Sequence, residues 1–231
     1  MNADIIKYLS TNNNLVESLV FLSENVTGKI VFSTSFGIED QVITNAIFKN
    51  QLNNIEVFTL DTGRLFSETY DVWYKTEARY DKKIKTYYPD ALLLENYINE
   101  NGINAFYDSP ELRKECCHVR KVVPLQRALQ GAEVWITGLR AEHSPNRTGL
   151  DIVQWDASNQ LYKFNPLLHW TGEQVREEVE TKRIPYNLLH DKGFVSIGCQ
   201  PCTRAISEGE DFRAGRWWWE TGSKKECGLH K

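Results

Sequence analysis

No stretch of the 231-residue chain approaches the roughly 20 consecutive apolar residues that a membrane-spanning helix needs. The first residues, MNADIIKYLS, lack the apolar core of a secretory signal. Excess positive charge is missing as well, because the formal net charge is −4, so a broadly basic surface for nucleic acid is not expected. We therefore expect a cytoplasmic protein that binds neither a membrane nor nucleic acid.

The chain also has no internal repeat and no low-complexity segment. Hydrophobic residues make up 41% and charged residues 25%, which is an ordinary globular composition. Disorder, collagen and coiled coil are thereby excluded as descriptions of the whole chain. The length suits one medium-sized domain with a substantial core.

Short apolar, β-branched runs alternate with segments of helical periodicity. We predict strands at 29–34, 54–60, 83–89 and 133–140, a hairpin within 152–167, two short helices between 5 and 22, and helices at 38–50, 68–80, 91–102, 111–131 (interrupted at Pro124) and 171–183. Such alternation is typical of an α/β fold, a mostly parallel sheet with helices on both faces.

Polar clusters follow three of the predicted strands. They are STSFG (33–37), LDTGR (60–64) and TGLR (137–140). Ligands bind open α/β sheets at the carboxyl ends of the strands, so these clusters predict one site. Backbone N–H groups and hydroxyls of the first cluster could hold a phosphate at a helix N-terminus, although the cluster lacks the lysine of a Walker loop. Taken singly, a Ser- and Gly-rich cluster between a strand and a helix is more typical of an ordinary turn, and LDTGR also fits a capped turn.

Five cysteines, an odd number, argue against a disulfide framework. Cys116 and Cys117 are adjacent, Cys199 and Cys202 form a C-x-x-C pair, and Cys227 stands alone near the end of the chain. Four thiolates suit zinc or an iron–sulfur cluster, and ligand type alone does not choose between them. The alternative is that the cysteines are small buried hydrophobic residues.

Two further motifs lie near the end of the sequence. RAGRWWW (213–219) sets two arginines beside three tryptophans and indicates either an anion clamp or a solvated face backed by core aromatics. ECGLH (226–230) sets a thiol three residues before a histidine, which favours a reactive thiolate, unless the tail merely carries an incidental cysteine.

The segments STSFGIEDQ, LDTGRLFSETY, ECCHVRKVVPL, TGLRAEHSPNR, KFNPLLHW, GCQPCTRAI, GEDFRAGRWWW and KKECGLH together closely resemble assimilatory adenylyl-sulfate (APS) reductases, from about residue 28 to the end. The resemblance implies a Rossmann-like domain of the adenine-nucleotide hydrolase type over residues 1–212, followed by a mobile catalytic tail, 213–231. It also implies a [4Fe-4S] cluster held by Cys116, Cys117, Cys199 and Cys202.

The resemblance implies residue roles as well. Cys227 is the expected nucleophile, which attacks the sulfur of APS, releases AMP and becomes a Cys S-sulfonate that thioredoxin or glutaredoxin resolves. The phosphosulfate is expected to lie among Lys121, Arg213, Arg216 and His230. Expected substrate-binding residues are Ser33, Thr34, Ser35, Gly37, Leu60, Thr62, Gly63, Arg64, Gly138 and Arg147. Some family members carry a serine where this chain has Phe36, which leaves the roles of the loop hydroxyls open.

Three alternatives remain at the level of sequence. One is reduction of 3′-phospho-APS (PAPS), alone or together with APS, which needs a second basic subsite. Another is a non-catalytic adenylate-binding protein stabilised by zinc on the four paired cysteines. The third is an ATP pyrophosphatase, which the missing S-G-G-x-D-S motif disfavours. The sequence does not decide whether the chain forms a homo-oligomer.

Overall fold

The computed structural model describes residues 1–143, 149–220 and Leu229. Its α-helices are α1 (Ala3–Thr11), α2 (Leu15–Asn25), α3 (Ile38–Lys49), α4 (Ser67–Tyr80), α5 (Ala91–Asn101), α6 (Pro110–Cys117), α7 (Val123–Leu129) and α8 (Gly172–Lys182). Its strands are β1 (Lys29–Ser33), β2 (Ile55–Leu60), β3 (Lys85–Tyr87), β4 (Ala132–Ile136), β5 (Val153–Asp156) and β6 (Leu161–Phe164). Within the described ranges, no helix has the length and apolar character to cross a membrane.

The six strands form one sheet in the order β3-β2-β1-β4-β6-β5. All neighbouring pairs are parallel except β5–β6, an antiparallel hairpin at one edge. β2 and β4 lie on opposite sides of β1. Successive strands are therefore added to the sheet first in one direction from β1 and then in the other, which makes β1 the topological switch point. Open α/β sheets bind ligands at such a switch point, beyond the carboxyl ends of the strands.

Helices cover both faces of the sheet, as predicted. In β1, Ile30 and Phe32 pack into a large cluster with residues of α1, α2, α3 and α8, whereas Val31 points the other way and packs with α7. This alternation follows from the two-residue period of a strand. A strand buried on both faces needs a continuous apolar run, and Ile30, Val31 and Phe32 supply it at the centre of β1.

A third, smaller cluster lies beside the sheet and contains the four paired cysteines with Tyr97, Phe106 and Trp217. It joins α5 and α6 to the C-terminal segment. The helix predicted over 111–131 changes geometry in the turn that precedes Pro124, which itself lies in the first turn of α7. The change occurs in a π-helical turn, His118–Val122, between α6 and α7.

Candidate active site

A cavity of about 230 Å³ opens at the carboxyl ends of β1, β2 and β4; we call it the strand-end cavity. Ten of the residues predicted from sequence line it: Ser33, Thr34, Ser35, Gly37, Leu60, Thr62, Lys121, Gly138, Arg213 and Arg216. The three polar clusters that follow the strands therefore meet in space as predicted. Leu229 lines the same cavity.

The loop after β1 is held by its own side chains. The N–H of Thr34 donates to the Phe58 carbonyl of β2 at 2.8 Å, and Thr34 Oγ1 accepts from the Phe36 N–H at 3.1 Å. Phe36 has φ of 60°, a region that few non-glycine residues adopt, and its fully buried ring stacks on Trp73. Burial of this ring in the core stabilises the turn, which accounts for an aromatic residue at this position.

Two serines of this loop have different partners. Ser33 Oγ accepts from the indole Nε1 of Trp135 at 2.8 Å. Ser35 donates twice to Asp40 Oδ2, from its N–H at 2.6 Å and from its hydroxyl at 2.7 Å. Burial raises the pKa of Asp40 to about 7, against the lowering effect of the hydrogen bonds from Ser35.

Three cations lie on another wall of the strand-end cavity. Arg216 is buried, its guanidinium lies 4.8 Å from the centre of the Trp217 ring, and its Nε donates to the Cys202 carbonyl at 3.4 Å. A Cβ at Gly198 would come within 2.4 Å of Arg216 Nη2, so the backbone must be glycine where it passes this guanidinium. Arg213 also lies over Trp217, at 5.8 Å.

The third cation, Lys121, lies on the π-helical turn and lines two cavities. One is the strand-end cavity, and the other is a small neighbouring cavity that we call the cysteine cavity. The cysteine cavity is lined by Arg64, Phe106, Arg113, Cys116, Cys117, Arg120, Lys121, Cys199, Pro201 and Cys202. The structure thus brings together the four paired cysteines, which are distant in sequence. Arg64 lies with the cysteines rather than in the strand-end cavity, and Gly63 turns the chain before it with φ of 70°.

The thiols are buried among positive charges. Burial raises the pKa of Cys202 to about 12 and also raises that of Cys116. Burial acts in the same direction on Cys199, but the charge of Lys121 and a hydrogen bond with Thr62 Oγ1 at 3.3 Å outweigh it, so the pKa of Cys199 is lowered. Buried thiols surrounded by cations can be held as thiolates once a metal group neutralises their mutual repulsion.

The chemistry of the donor set fits a metal group with four sulfur ligands. Among residues 1–143, 149–220 and Leu229, no three His, Cys, Asp or Glu side chains are grouped closely enough to hold one metal ion. The four thiols instead surround a cavity. Four thiols around one cavity fit a metal group with four sulfur ligands, and both zinc and an iron–sulfur cluster meet that description.

The C-terminal segment is fixed to the helix that carries Cys116 and Cys117. Arg113 of α6 makes a bidentate ion pair with Glu220, with distances of 2.8 Å and 2.9 Å. Its guanidinium also lies 4.5 Å from the centre of the Trp217 ring. Three predicted site residues, Cys227, His230 and Arg147, lie outside the described residues.

Sequence reasoning missed several residues of this region. Asp40 and Glu39 were read only as part of a helix, yet both line the strand-end cavity, and Glu39 pairs with Arg140 at 2.9 Å. His190 also lines it, and burial lowers the pKa of its imidazole. The one available signal was position, since Glu39 and Asp40 begin the helix that follows a predicted binding loop.

Comparison with known proteins agrees with this geometry. The profile of the phosphoadenosine phosphosulfate reductase domain matches residues 29–205. The adenosine 5′-phosphosulfate reductase of Sinorhizobium fredii (strain NBRC 101917 / NGR234) is 52% identical over 209 residues, covering 90% of this chain and 83% of that protein. The adenosine 5′-phosphosulfate reductase of Allochromatium vinosum is 50% identical over 202 residues, covering 87% and 78%.

Among solved structures, the phosphoadenylyl-sulfate (PAPS) reductase from Candida auris, a phosphate complex, has a TM-score of 0.74 at 26% identity and covers 88% of this chain and 98% of that one. A Candida glabrata FMN adenylyltransferase shares the fold alone, with a TM-score of 0.55 at 18% identity, 95% of this chain and 76% of that one being covered. The domain match and the curated relatives extend over most of the sequence, and the chain therefore belongs to the APS/PAPS reductase family.

Proposed function

We propose that this enzyme reduces APS to sulfite and AMP in sulfate assimilation and cysteine biosynthesis. In the first step, the Cys227 thiolate attacks the sulfur of APS. The bond between that sulfur and the bridging oxygen breaks, and its electron pair leaves with AMP. In the second step, the two thiols of thioredoxin or glutaredoxin supply two electrons, become a disulfide and release sulfite, which restores the Cys227 thiol.

The observation that carries this proposal is the position of Lys121, which lines both the strand-end cavity and the cysteine cavity. A cation at that boundary can meet the anionic end of a nucleotide whose base occupies the strand ends. With Arg213 and Arg216 it supplies positive charge for a group that becomes more negative as AMP leaves. Curated relatives named for APS reduction support the same substrate.

We assign the cofactor as a [4Fe-4S] cluster ligated by Cys116, Cys117, Cys199 and Cys202. When bound, the cluster supplies a compact charge beside Lys121 and a structural link between distant segments. Electron transfer through it is not required, because the thiol and sulfonate chemistry already balances. Iron and sulfide analysis tests the assignment, and a colourless protein containing one zinc would contradict it.

The remaining predicted residues are assigned to the adenine nucleotide. Ser33, Thr34, Ser35, Gly37, Leu60, Thr62 and Gly138 line the strand-end cavity, whereas Gly63, Arg64 and Arg147 are assigned from the sequence pattern alone. His230 is assigned to the phosphosulfate. Leu229, two residues after Cys227, lines the strand-end cavity, and this supports delivery of the tail cysteine to the substrate. The unit 1–212 with a catalytic tail, 213–231, and the cytoplasmic location belong to the same proposal.

The experiment that tests the mechanism is mass spectrometry of the iron-loaded protein mixed with APS in the absence of thioredoxin. We expect one sulfonate on Cys227 and stoichiometric AMP. The Cys227→Ser variant should form no sulfite, while its AMP affinity stays within a few-fold of wild type, because strand-end residues bind the nucleotide. An adduct on Cys199 or Cys202 instead would overturn the mechanism.

Reduction of PAPS, alone or in addition, is the second candidate. The likeness to the Candida auris PAPS reductase favours it. It requires cationic side chains placed to meet a 3′-phosphate. Competition between APS and PAPS in one assay at equal concentrations separates the two, because the ratio of the products AMP and 3′-phospho-AMP reports kcat/KM discrimination.

A further inference from the structure

The hydroxyl of Ser35 is exposed to the strand-end cavity, but it already donates a hydrogen bond within the protein. One oxygen of the Asp40 side chain, Oδ2, accepts two hydrogen bonds from Ser35. One comes from the hydroxyl and the other from the backbone N–H. A backbone N–H can only donate, so Asp40 Oδ2 is the acceptor of that bond, and the Ser35 hydroxyl donates to the same oxygen. The oxygen of Ser35 is left with lone pairs and no proton for a ligand.

Ser33 shows the opposite polarity. An indole N–H can only donate, so the contact with Trp135 uses a lone pair of Ser33 and leaves its hydroxyl proton unused by that bond. Two serines two residues apart therefore offer different groups to a ligand. Composition alone would treat both as donors to phosphate.

The position of Asp40 is fixed by its surroundings. Its side chain is buried, and Oδ1 lies so close to Gly138 that a Cβ there would come within 2.1 Å of it. Its backbone carbonyl accepts from Thr44 Oγ1 at 2.7 Å within α3. Burial and the close approach of Gly138 hold the Asp40 side chain beside Ser35. Glu39 also lines the cavity, where it pairs with Arg140 at 2.9 Å.

A phosphate oxygen at Ser35 would face a hydroxyl oxygen whose hydrogen already points to Asp40, and two acceptors do not attract each other. Three cations that line the same cavity, Lys121, Arg213 and Arg216, are the better phosphate partners. The side of the cavity next to Ser35 therefore suits an uncharged group that carries an N–H or O–H.

We propose that Ser35 accepts a hydrogen bond from the nucleoside half of the substrate, and that Asp40 is the positioning residue that imposes this polarity. The inference rests on the proposed function, since it takes the ligand to be an adenine nucleotide. The nucleoside offers three candidate donors: the 2′-hydroxyl, the 3′-hydroxyl and the adenine amino group. The phosphosulfate lies away from Ser35.

Calorimetric titration of the iron-loaded protein with AMP and with adenosine tests this directly. Ser35→Ala should weaken both ligands by the same factor, about three- to tenfold for one neutral hydrogen bond. Asp40→Ala should also weaken both equally, because it removes the acceptor that holds the Ser35 hydroxyl hydrogen and keeps the lone pairs of Ser35 toward the ligand. A loss for AMP with adenosine unchanged would mean that Ser35 binds phosphate and would overturn the proposal.

Nucleoside analogues identify the donor and exclude a merely structural effect. 2′-Deoxyadenosine, 3′-deoxyadenosine and purine riboside each lack one candidate donor. One of them should bind wild type more weakly than adenosine and lose no further affinity in Ser35→Ala. If all three analogues lose affinity in the variant as adenosine does, Ser35 has no such partner and the proposal fails. Wild-type protein that binds neither AMP nor APS would instead contradict the proposed function itself.

Discussion

The ion pair between Arg113 and Glu220 gives a prediction whose size follows from its burial. The side chain of Arg113 is 2% exposed and that of Glu220 10% exposed, and the pair is bidentate. Removing one partner of a buried pair costs about 3–5 kcal/mol, because the other charge is left uncompensated. Glu220→Gln keeps one acceptor oxygen, so we expect the lower end, about 3 kcal/mol. For a chain of this size that is about 6–12 °C in Tm.

The assay is thermal unfolding of the iron-loaded protein by circular dichroism at one scan rate. Glu210→Gln is the matched control, since Arg204 and Glu210 also form a bidentate pair but are 38% and 33% exposed. An exposed pair is screened by water and contributes little, so the control should shift Tm far less than Glu220→Gln does. Arg113→Met combined with Glu220→Gln should be less damaging than Glu220→Gln alone, because no charge remains buried. Equal shifts for Glu220→Gln and Glu210→Gln would refute the reasoning.

Three further predictions concern the site. Cys116→Ser should lose iron and the visible absorbance of the cluster, measured by metal analysis and spectroscopy; full occupancy would refute its role as a ligand. Lys121→Ala should lower the single-turnover rate of S-sulfonate formation at saturating APS by about 10²-fold or more, with a smaller loss of AMP affinity, and an unchanged saturated rate would make Lys121 only a ground-state binder. The pKa of Asp40 is raised from an ordinary 3.8 to about 7, so the folded state binds this proton more tightly than the unfolded state does. Protonation of Asp40 therefore stabilises the fold. That contribution is complete below pH 3.8 and is lost as the pH rises through 7. The urea midpoint of wild type should therefore fall more than that of Asp40→Asn between pH 5 and pH 8, whereas parallel profiles would contradict this.

The sheet and its helices were predictable because their periodicities are local. β1 and α3 begin and end within a residue of the predicted bounds, since β1 has an apolar centre, residues 30–32, and the residues of α3 follow a helical spacing. The convergence of the three polar clusters was predictable for a general reason, namely that parallel strands end at one edge. Both results depend on fold class more than on any single residue.

The contacts within the site were not predictable in the same way. Arg113 and Glu220 are 107 positions apart, and no sequence pattern in either segment indicates that the two side chains form an ion pair. Ser35 and Asp40 are neighbours in sequence, but the direction of their hydrogen bonds depends on the burial of Asp40 against Gly138. Burial is a property of the packed molecule, and for that reason the loop hydroxyls could not be assigned from the motif alone.

The π-helical turn His118–Val122 adjusts the rotational phase of one continuous helical rod. Cys117 before it faces the cysteine cavity, Leu125 after it faces the strand-end cavity, and Lys121 within it reaches both. Each residue of a regular α-helix turns by about 100° and advances about 1.5 Å. Deleting one residue from this turn would rotate α7 out of phase with the cysteines and would place Pro124 inside a regular helix, which a proline disrupts. Changes of length here should therefore be far less tolerated than changes of side chain, whatever residue is removed.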